Sequence, residues 1–540
     1  MKNQNVLSVT PTTLKNWIHD DDEIALLDVR EHGQYGEEHL FYVVSVPYSK
    51  LEPEVLRLVP RKSVRIVIIG GENTDLTDKA CLRLKELGYL NVHVLDGGMP
   101  AWRAAGFEVF AGVNLPSKAF GELAEHAFNT PRISALELNE KIINKENIVV
   151  LDGRPYSEYK KMSIPTAICC PNGELPLRID DIVKSPDTTI IINCAGRTRS
   201  IIGAQTLINL GIPNKIFALE NGTPGWYLAD LELRHGETER HPLNVEHKGL
   251  AERQSRAQAL AAFHNIKTVG GQQVERWLAE KNRTTFLCDV RTPEEFASGT
   301  IPGAQHTPGG QLVQATDQYV GVKGARIVVF DQENVRAPAM ATWLGMLGWD
   351  VAVCKNALDY PWQSEINANI AGHESQSSLG PDVKQIESAE IAALIQKGAV
   401  IVDLRSSMKY REAHLKNALW SIRPKLSTLT AELKGQQVIL IAEEEVLAKI
   451  AAKDLRELGA LQISLNIESK EQWLRAGLQL ESTPNDPPNA ACMDYLFFVH
   501  DRHDGNKAAA RQYLAWEMNL LAQIDEQERN SFHLPNTNKN

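Results

Sequence analysis

The sequence has little cysteine, and its cysteines form no recognisable framework. Seven occur in 540 residues, without a CxxC pair or a regular Cys/His spacing. This pattern argues against a disulfide scaffold and against a zinc site of the usual spacing. We therefore expect reduced thiols, no bound metal and an intracellular, cytoplasmic protein.

Long apolar runs and an excess of positive charge are also lacking. No stretch approaches the roughly 20 apolar residues of a membrane helix, and the first residues, MKNQNVLSVTPTTLKNW, lack the apolar core of a signal peptide. Lys and Arg number 57 against 68 Asp and Glu, which gives a formal net charge of -11. Because nucleic-acid binding needs a basic surface, we expect neither nucleic acid nor a membrane as a partner.

The sequence does contain an internal repeat. An Asp-x-Arg motif closes an apolar run four times, in ALLDVRE, VVLDGRP, FLCDVRT and VIVDLRS. A tryptophan follows each aspartate 70 to 74 residues later; the pairs are Asp28 and Trp102, Asp152 and Trp226, Asp289 and Trp362, and Asp403 and Trp473. Between these landmarks lie an apolar strand, a helical stretch that ends at a glycine, and a short strand. This alternation predicts an α/β domain with a parallel sheet flanked by helices.

We predict four such domains in tandem, here named copies one to four. They span residues 1–113, 128–235, 262–372 and 383–481, separated by polar connectors rich in Gly, Pro, Ser and charge. Residues 482–540 are predicted to form a linker and a C-terminal helix. The apolar stripe of that helix should pack on another surface; its residues are Ala510, Tyr513, Leu514, Trp516 and Leu520.

Copy two contains a candidate nucleophile at the end of a β-branched run, in IIINCAGRTRS. Ligands of parallel α/β sheets bind at the carboxyl ends of the strands, and Cys194 lies at such an end. The following residues, Cys194–Ser200, are named the cradle loop. We expect its backbone amides, the next helix N-terminus, Arg197 and Arg199 to favour negative charge on the thiol and to lower its pKa.

The other copies lack a nucleophile at the matching position. The same offset from the aspartate leads to Gly70 in copy one and Asp331 in copy three, and copy four aligns at or beside Glu443. Glycine cannot attack a donor, and the acidic residues would repel an anionic substrate. We therefore expect one active site per chain.

Together these features resemble the rhodanese family of sulfurtransferases, in its tandem-repeat form, over residues 1–481. The matching features are the strand-ending DVR or DGR, the SIPTA and TIPGA segments, the cysteine loop, and the GG or NG that precedes tryptophan. The resemblance implies that Cys194 attacks the outer sulfur of a small anionic donor such as thiosulfate, becomes a persulfide, and passes the sulfur to a thiophilic acceptor, such as a thiol or a protein. It implies no cofactor, and it places the rest of the cradle loop around the substrate: Ala195, Gly196, Arg197, Thr198, Arg199 and Ser200.

Four residues outside the loop are expected to support the site. Asp152 and Arg154 should form a structural ion pair beneath it. Glu158 either lines the pocket or caps its helix. Trp226 either walls the pocket or only packs, and its counterparts in the copies without the loop cysteine show that packing is a sufficient reason.

Some thiols allow a second interpretation. The alternative for Cys194 is a small buried hydrophobic residue without a function, but the adjoining glycine and arginines favour a functional role. Cys169 and Cys170 include a candidate resolving thiol, but core packing is favoured, and strand alternation should send only one of them inward.

Two other functions and one other site remain open. A cysteine phosphatase would need arginine six residues after the cysteine, where this chain has Ser200. A binding or sensing protein could use Cys194 as a sulfur-carrying signal and the copies without the loop cysteine for docking. In the tail, His500, Asp501, His503 and Asp504 could bind a cation, although a turn and helix cap is favoured.

Overall fold

Each copy of the repeat builds one five-stranded parallel sheet in this computed structural model, which describes residues 6–71, 74–363, 379–497 and 506–535. In every sheet the strand order is first, fifth, fourth, second, third. This confirms the α/β prediction of four sheets flanked by helices. The domain boundaries given above stay a prediction.

The strands of copies one and two are Leu7–Val9, Ile24–Asp28, Val44–Ser45, Arg65–Ile69, Val92–Leu95, and Arg132–Ile133, Ile148–Asp152, Ile168–Cys169, Thr189–Asn193, Ile216–Leu219. Those of copies three and four are Lys267–Val269, Thr285–Asp289, Gln305–His306, Arg326–Phe330, Asp350–Cys354, and Lys384–Gln385, Val400–Asp403, Leu419–Trp420, Gln437–Ile441, Gln462–Asn466. Copy four adds an antiparallel pair, His414–Leu415 with Leu480–Glu481. The second and fourth strands of each sheet are apolar except at their ends, because helices cover both faces of the sheet.

The α-helices of copies one and two are Pro11–Ile18, His32–Glu37, Leu51–Leu58, Thr74–Glu86, Gly98–Ala104, and Ala135–Ile143, Tyr156–Lys161, Leu175–Ile182, Thr198–Asn209, Gly222–Leu228. Those of copies three and four are Gly271–Leu278, Pro293–Ala297, Gly309–Gln314, Arg336–Met346, and Ser388–Gln396, Ser407–Glu412, Thr430–Leu433, Glu445–Glu457, Lys470–Arg475. The tail forms Lys507–Met518, Leu520–Gln523 and Glu526–Asn530. Among the described residues, no helix has both the length and the apolar character that a bilayer span requires.

The copies group into two compact units that do not follow chain order. The first unit contains copies one and four, and the second contains copies two and three with the C-terminal helices. In the second unit, Ala510, Tyr513, Leu514 and Leu520 are buried, so the stripe predicted in the tail packs as expected.

Two connectors predicted as polar linkers contain helices instead, Leu115–Phe128 and Leu250–Phe263. The first, named the connecting helix, is buried on most of its sides, with Leu115, Ala119, Phe120 and Ala124 among its buried residues. A proline in its first turn suits the helix start. Burial of apolar residues therefore outweighs the polar composition of this segment.

The Asp-x-Arg motif has the same structural role in each copy. In copy two, Arg154 Nε and Nη2 donate to Asp152 at 2.8 and 2.7 Å, and Nη2 also donates to the Met162 carbonyl at 2.6 Å. In all four copies the arginine reaches a carbonyl eight residues further on. The motif therefore ties the strand end to the following loop.

A buried acid in the first unit should make its stability depend on pH. Burial raises the pKa of Glu31 from 4.5 to about 7, against the hydrogen bonds from Ser49 N and Oγ that lower it. The stabilising contribution is complete below the unfolded-state pKa and is lost as pH rises through about 7. We expect a loss of about 3 kcal/mol between pH 4.5 and 8, measured by denaturant unfolding.

The Glu31→Gln variant should lose this dependence, because glutamine does not ionise. The same exchange at Glu481, which is exposed, should leave the dependence unchanged. A Glu31→Gln unfolding curve that parallels the wild type at every pH would contradict the prediction.

Candidate functional site

Cys194 lies directly after the strand Thr189–Asn193, at its carboxyl end. Its side chain is only 1% exposed. The Gly196 amide nitrogen is 3.3 Å from Cys194 Sγ, and the Thr223 amide donates to the Cys194 carbonyl at 2.8 Å. The thiol is thus held in a turn, with a backbone donor aimed at its sulfur.

The rest of the cradle loop is also buried and internally bonded. Ala195, Thr198 and Ser200 are each less than a twentieth exposed. Ser200 Oγ donates to the Arg197 carbonyl at 2.8 Å, and Asn172 Nδ2 donates to the Arg199 carbonyl at 2.7 Å. The helix that follows begins at Thr198, so its N-terminus lies within the loop.

Both loop arginines are engaged by carboxylates, a feature the sequence did not predict. Arg197 donates from Nε to Glu122 at 2.7 Å and also pairs with Glu125 of the connecting helix. Arg199 makes two 2.8 Å hydrogen bonds with Glu158. Burial opposes these charges, but the carboxylates outweigh it and raise the pKa of both guanidinium groups. The local positive charge expected here is therefore largely neutralised.

The helix Lys507–Met518, named the C-terminal helix, covers the cradle loop. Thr198 Oγ1 donates to Glu517 Oε1 at 3.3 Å, and Lys118 Nζ donates to the same oxygen at 3.0 Å. Lys118 also hydrogen-bonds Tyr513, whose ring lies near Gly196. The cradle loop is thus enclosed by the connecting helix and by the C-terminal helix.

Copy three shows what the same loop geometry does around an anion. Asp331 occupies the position of Cys194, and its carboxylate accepts from the amides of Val335, Arg336 and Ala337 at 3.1 to 3.2 Å. An aspartate oxygen lies as many bonds from Cα as the outer sulfur of a cysteine persulfide does. In copy three, the space inside the loop is therefore filled by the Asp331 carboxylate. The expectation from the sequence was only that this acid repels an anionic substrate.

The arginine pairing of the site also recurs in copy three. Arg336 stands where copy two has Arg199, and Glu295 stands where copy two has Glu158. They pair at 2.6 and 3.0 Å, and this pairing outweighs burial and lowers the pKa of Glu295 to about 2. The repeated pair favours a structural contribution of Glu158 beside the loop, rather than a helix cap.

The remaining copies hold no such arrangement at the matching positions. A Cβ on Gly70 would lie 2.4 Å from the Thr77 side chain, so that loop is closed around a glycine. Glu443 is exposed and pairs with Lys409. Neither position has a nucleophile.

Of the four residues expected to support the site, Asp152, Arg154 and Trp226 are buried, whereas Glu158 is partly exposed. Asn193, next to Cys194, donates to Asp152 at 2.9 Å, which links the buried Asp152–Arg154 pair to the strand end. Trp226 is 1% exposed, packs in a core cluster and donates to the Glu232 carbonyl. These contacts give Trp226 a packing role.

All seven cysteines are free and buried. Burial raises the pKa of Cys169 to about 12 and that of Cys170 well above the usual value. They belong to core clusters on opposite faces of the sheet. The expectation that only one points inward was wrong, because helices cover both faces of this sheet.

Sequence reasoning missed the acidic residues that surround the loop: Glu122, Glu125 and Glu517. Glu517 lies more than 300 residues from Cys194, and only the apolar stripe in its helix indicated that this segment packs. The candidate cation ligands His500, Asp501, His503 and Asp504 lie outside the described residues. Among those that are described, no cluster of three or more His, Cys, Asp or Glu could hold a metal ion.

Comparison with known proteins agrees with this architecture. The rhodanese-like domain family matches residues 10–105, 134–229 and 271–360, which lie in copies one to three. A crystal structure of a thiosulfate sulfurtransferase from Pseudomonas aeruginosa is 35% identical, covers 98% of this chain and 99% of its own, and superimposes with a TM-score of 0.87.

Curated relatives match shorter segments. A putative sulfur carrier protein from Bacillus subtilis is 27% identical over 28% of this chain and 86% of its own length. A putative thiosulfate sulfurtransferase from Mycobacterium tuberculosis is 27% identical over 21% of this chain. The matches span only 49% and 61% of the length of two of the curated relatives. The three repeated matches and the full-length structural match show that the chain belongs to the rhodanese-like domain family.

Proposed function

We propose that this chain is a cytoplasmic sulfurtransferase that moves sulfane sulfur from thiosulfate or a related anionic donor to a thiophilic acceptor. Copy two carries the chemistry on Cys194. The copies that lack the loop cysteine serve as scaffold or docking surface. The relatives whose names include thiosulfate sulfurtransferase support this function.

The proposed reaction has two balanced steps. The Cys194 thiolate attacks the outer sulfur of thiosulfate, an S–S bond forms to Cys194, and the donor S–S bond breaks with sulfite leaving as the dianion. The acceptor, for example cyanide, then attacks the outer sulfur and the thiolate is regenerated as thiocyanate leaves. No external oxidant or reductant is needed.

The observation that carries the proposal is the occupied loop of copy three. Three loop amides bond an oxygen pair at the place where the outer persulfide sulfur would lie in copy two. Preorganised amides stabilise an anion without reorganising at the moment of reaction. The same fold around Cys194 is therefore suited to hold a persulfide.

Intact mass after thiosulfate treatment tests the proposal. The wild type should gain the mass of one sulfur atom, and peptide mapping should place it on Cys194. Cys169→Ala should keep this gain and Cys194→Ser should lose it. Sulfur on Cys169 or Cys170, or no gain with thiosulfate or with an organic persulfide, would contradict the assignment.

The alternative is a carrier or sensing protein in which the persulfide is stable. The near-complete burial of Cys194 and the similarity to a putative sulfur carrier favour it. In that case the mass gain would appear on Cys194 without steady production of thiocyanate from cyanide. Steady turnover that depends on Cys194 would exclude this alternative.

A further inference from the structure

Glu517 of the C-terminal helix lies against the cradle loop at Gly196. A Cβ placed on Gly196 would lie 3.0 Å from Glu517 Oε2, and the amide of the same glycine is 3.3 Å from Cys194 Sγ. Gly196 therefore has the carboxylate near its Cα and the nucleophilic sulfur near its nitrogen. Any side chain at residue 196 would displace Glu517.

The two carboxylate oxygens of Glu517 differ in their hydrogen bonding. Oε1 accepts from Lys118 Nζ and from Thr198 Oγ1. Oε2 is buried and has no hydrogen-bond partner within the described part of the chain, and the whole side chain is 1% exposed. A buried, unpaired carboxylate oxygen is costly, so its retention beside the loop calls for a reason.

The charges around the loop indicate what this oxygen does. Three cations line it, and all are held by carboxylates: Arg197 by Glu122 and Glu125, Arg199 by Glu158, and Lys118 by Glu517. Arg132 also approaches Glu125, at 3.5 Å, but its side chain is 57% exposed. Within the buried shell, four carboxylates thus face three cations. A donor that enters this shell brings one or two more negative charges, and each interacts unfavourably with the excess carboxylate.

We propose that Glu517 sets the preference of the site for the charge of the sulfur donor. It disfavours a second negative charge at Cys194, so the chain prefers monoanionic donors, such as thiosulfonates and organic persulfides, over the thiosulfate dianion. This inference rests on the proposed function and refines its donor class. For a thiosulfonate, the Cys194 thiolate takes the outer sulfur and the sulfinate leaves with the electron pair of the broken S–S bond.

The experiment compares thiosulfate with methanethiosulfonate, a monoanion, using cyanide as acceptor for both. In a two-step transfer, kcat/KM for the donor reports the first step alone. Glu517→Gln removes the charge but keeps the shape and the Oε1 contacts. Because the electrostatic energy scales with donor charge, we expect kcat/KM to rise about 5-fold for the monoanion and about 25-fold for thiosulfate.

Two further variants separate charge from structure. Lys118→Met leaves Glu517 uncompensated and should change donor preference in the opposite direction, with thiosulfate losing more than the monoanion. Gln512→Glu adds a carboxylate on the exposed face of the same helix and should leave the preference unchanged. Thermal unfolding of each variant checks that the fold is retained, and Lys118→Met gives the answer if Glu517→Gln does not fold.

The possible outcomes are distinct. A larger gain for thiosulfate than for methanethiosulfonate in Glu517→Gln supports the proposal. Equal gains for both donors would mean that the helix only limits access, and no gain for either would mean that the charge has no effect; both results contradict this proposal alone. A wild type that acquires no sulfur on Cys194 from either donor would overturn the proposed function as well.

Discussion

Replacing Cys194 by serine is expected to lower sulfur transfer at least about a thousandfold, to the level of the reaction without protein. A serine hydroxyl cannot form a persulfide, and burial raises the pKa of each of the other six thiols. Burial raises the pKa of Cys81, Cys169, Cys288 and Cys354 to about 12, so these thiols carry little thiolate at neutral pH. The measurement is thiocyanate production from thiosulfate and cyanide.

Cys169→Ala is the matched control for this loss. Its sulfur lies in the same copy, and donates to the Arg154 carbonyl at 3.6 Å rather than to the cradle loop. Turnover should stay within a few-fold of the wild type. If Cys194→Ser kept a tenth or more of the wild-type rate while folded, Cys194 would not be the nucleophile.

Replacing Arg336 by methionine is expected to destabilise the second unit by about 3–5 kcal/mol. The guanidinium group is fully buried and donates to Glu174 at 2.9 Å and to Glu333 at 2.6 Å, in addition to Glu295. Removing it leaves Glu295 and Glu333, both partly buried, without this cation, and leaves the buried Glu174 with only Arg178. Denaturant unfolding followed by tryptophan fluorescence measures the effect.

Arg132→Met is the control for a general loss of arginine. Its side chain is 57% exposed and pairs with Glu220 at 2.9 Å, so its removal should cost less than about 1 kcal/mol. An Arg336→Met midpoint that shifts no more than the control would show that the buried carboxylates become neutral or hydrated at little cost.

The sequence predicted the fold well because its signals are local. Each Asp-x-Arg ends an apolar strand, and the alternation of strands and helices is read within about 75 residues. Cys194 could be placed at a strand end for the same reason. The pairing of copy one with copy four could not be predicted, because it depends on complementary surfaces that no local pattern encodes.

The sequence predicted the electrostatics of the site less well than the fold. Arg197 and Arg199 indicated a positive loop, but their carboxylate partners come from the connecting helix and from the helix Tyr156–Lys161. The offset from the repeated aspartate correctly identified Asp331 as the counterpart of Cys194. The sequence predicted only that Asp331 repels an anion, whereas the structure shows that the loop amides donate to its carboxylate. Charge compensation depends on tertiary contacts, and these are visible only in the folded chain.

The connecting helix and the C-terminal helix together have a consequence for any attempt to shorten this protein. A fragment limited to residues 128–235 would keep the nucleophile and its turn, yet it would discard Glu122, Glu125, Lys118 and Glu517. Arg197 would then lack its carboxylate partners, although Arg199 would keep Glu158, and the loop would be open to solvent. We therefore expect such a fragment to differ from the full chain in donor selection, because the residues that surround its loop come from both flanks of copy two.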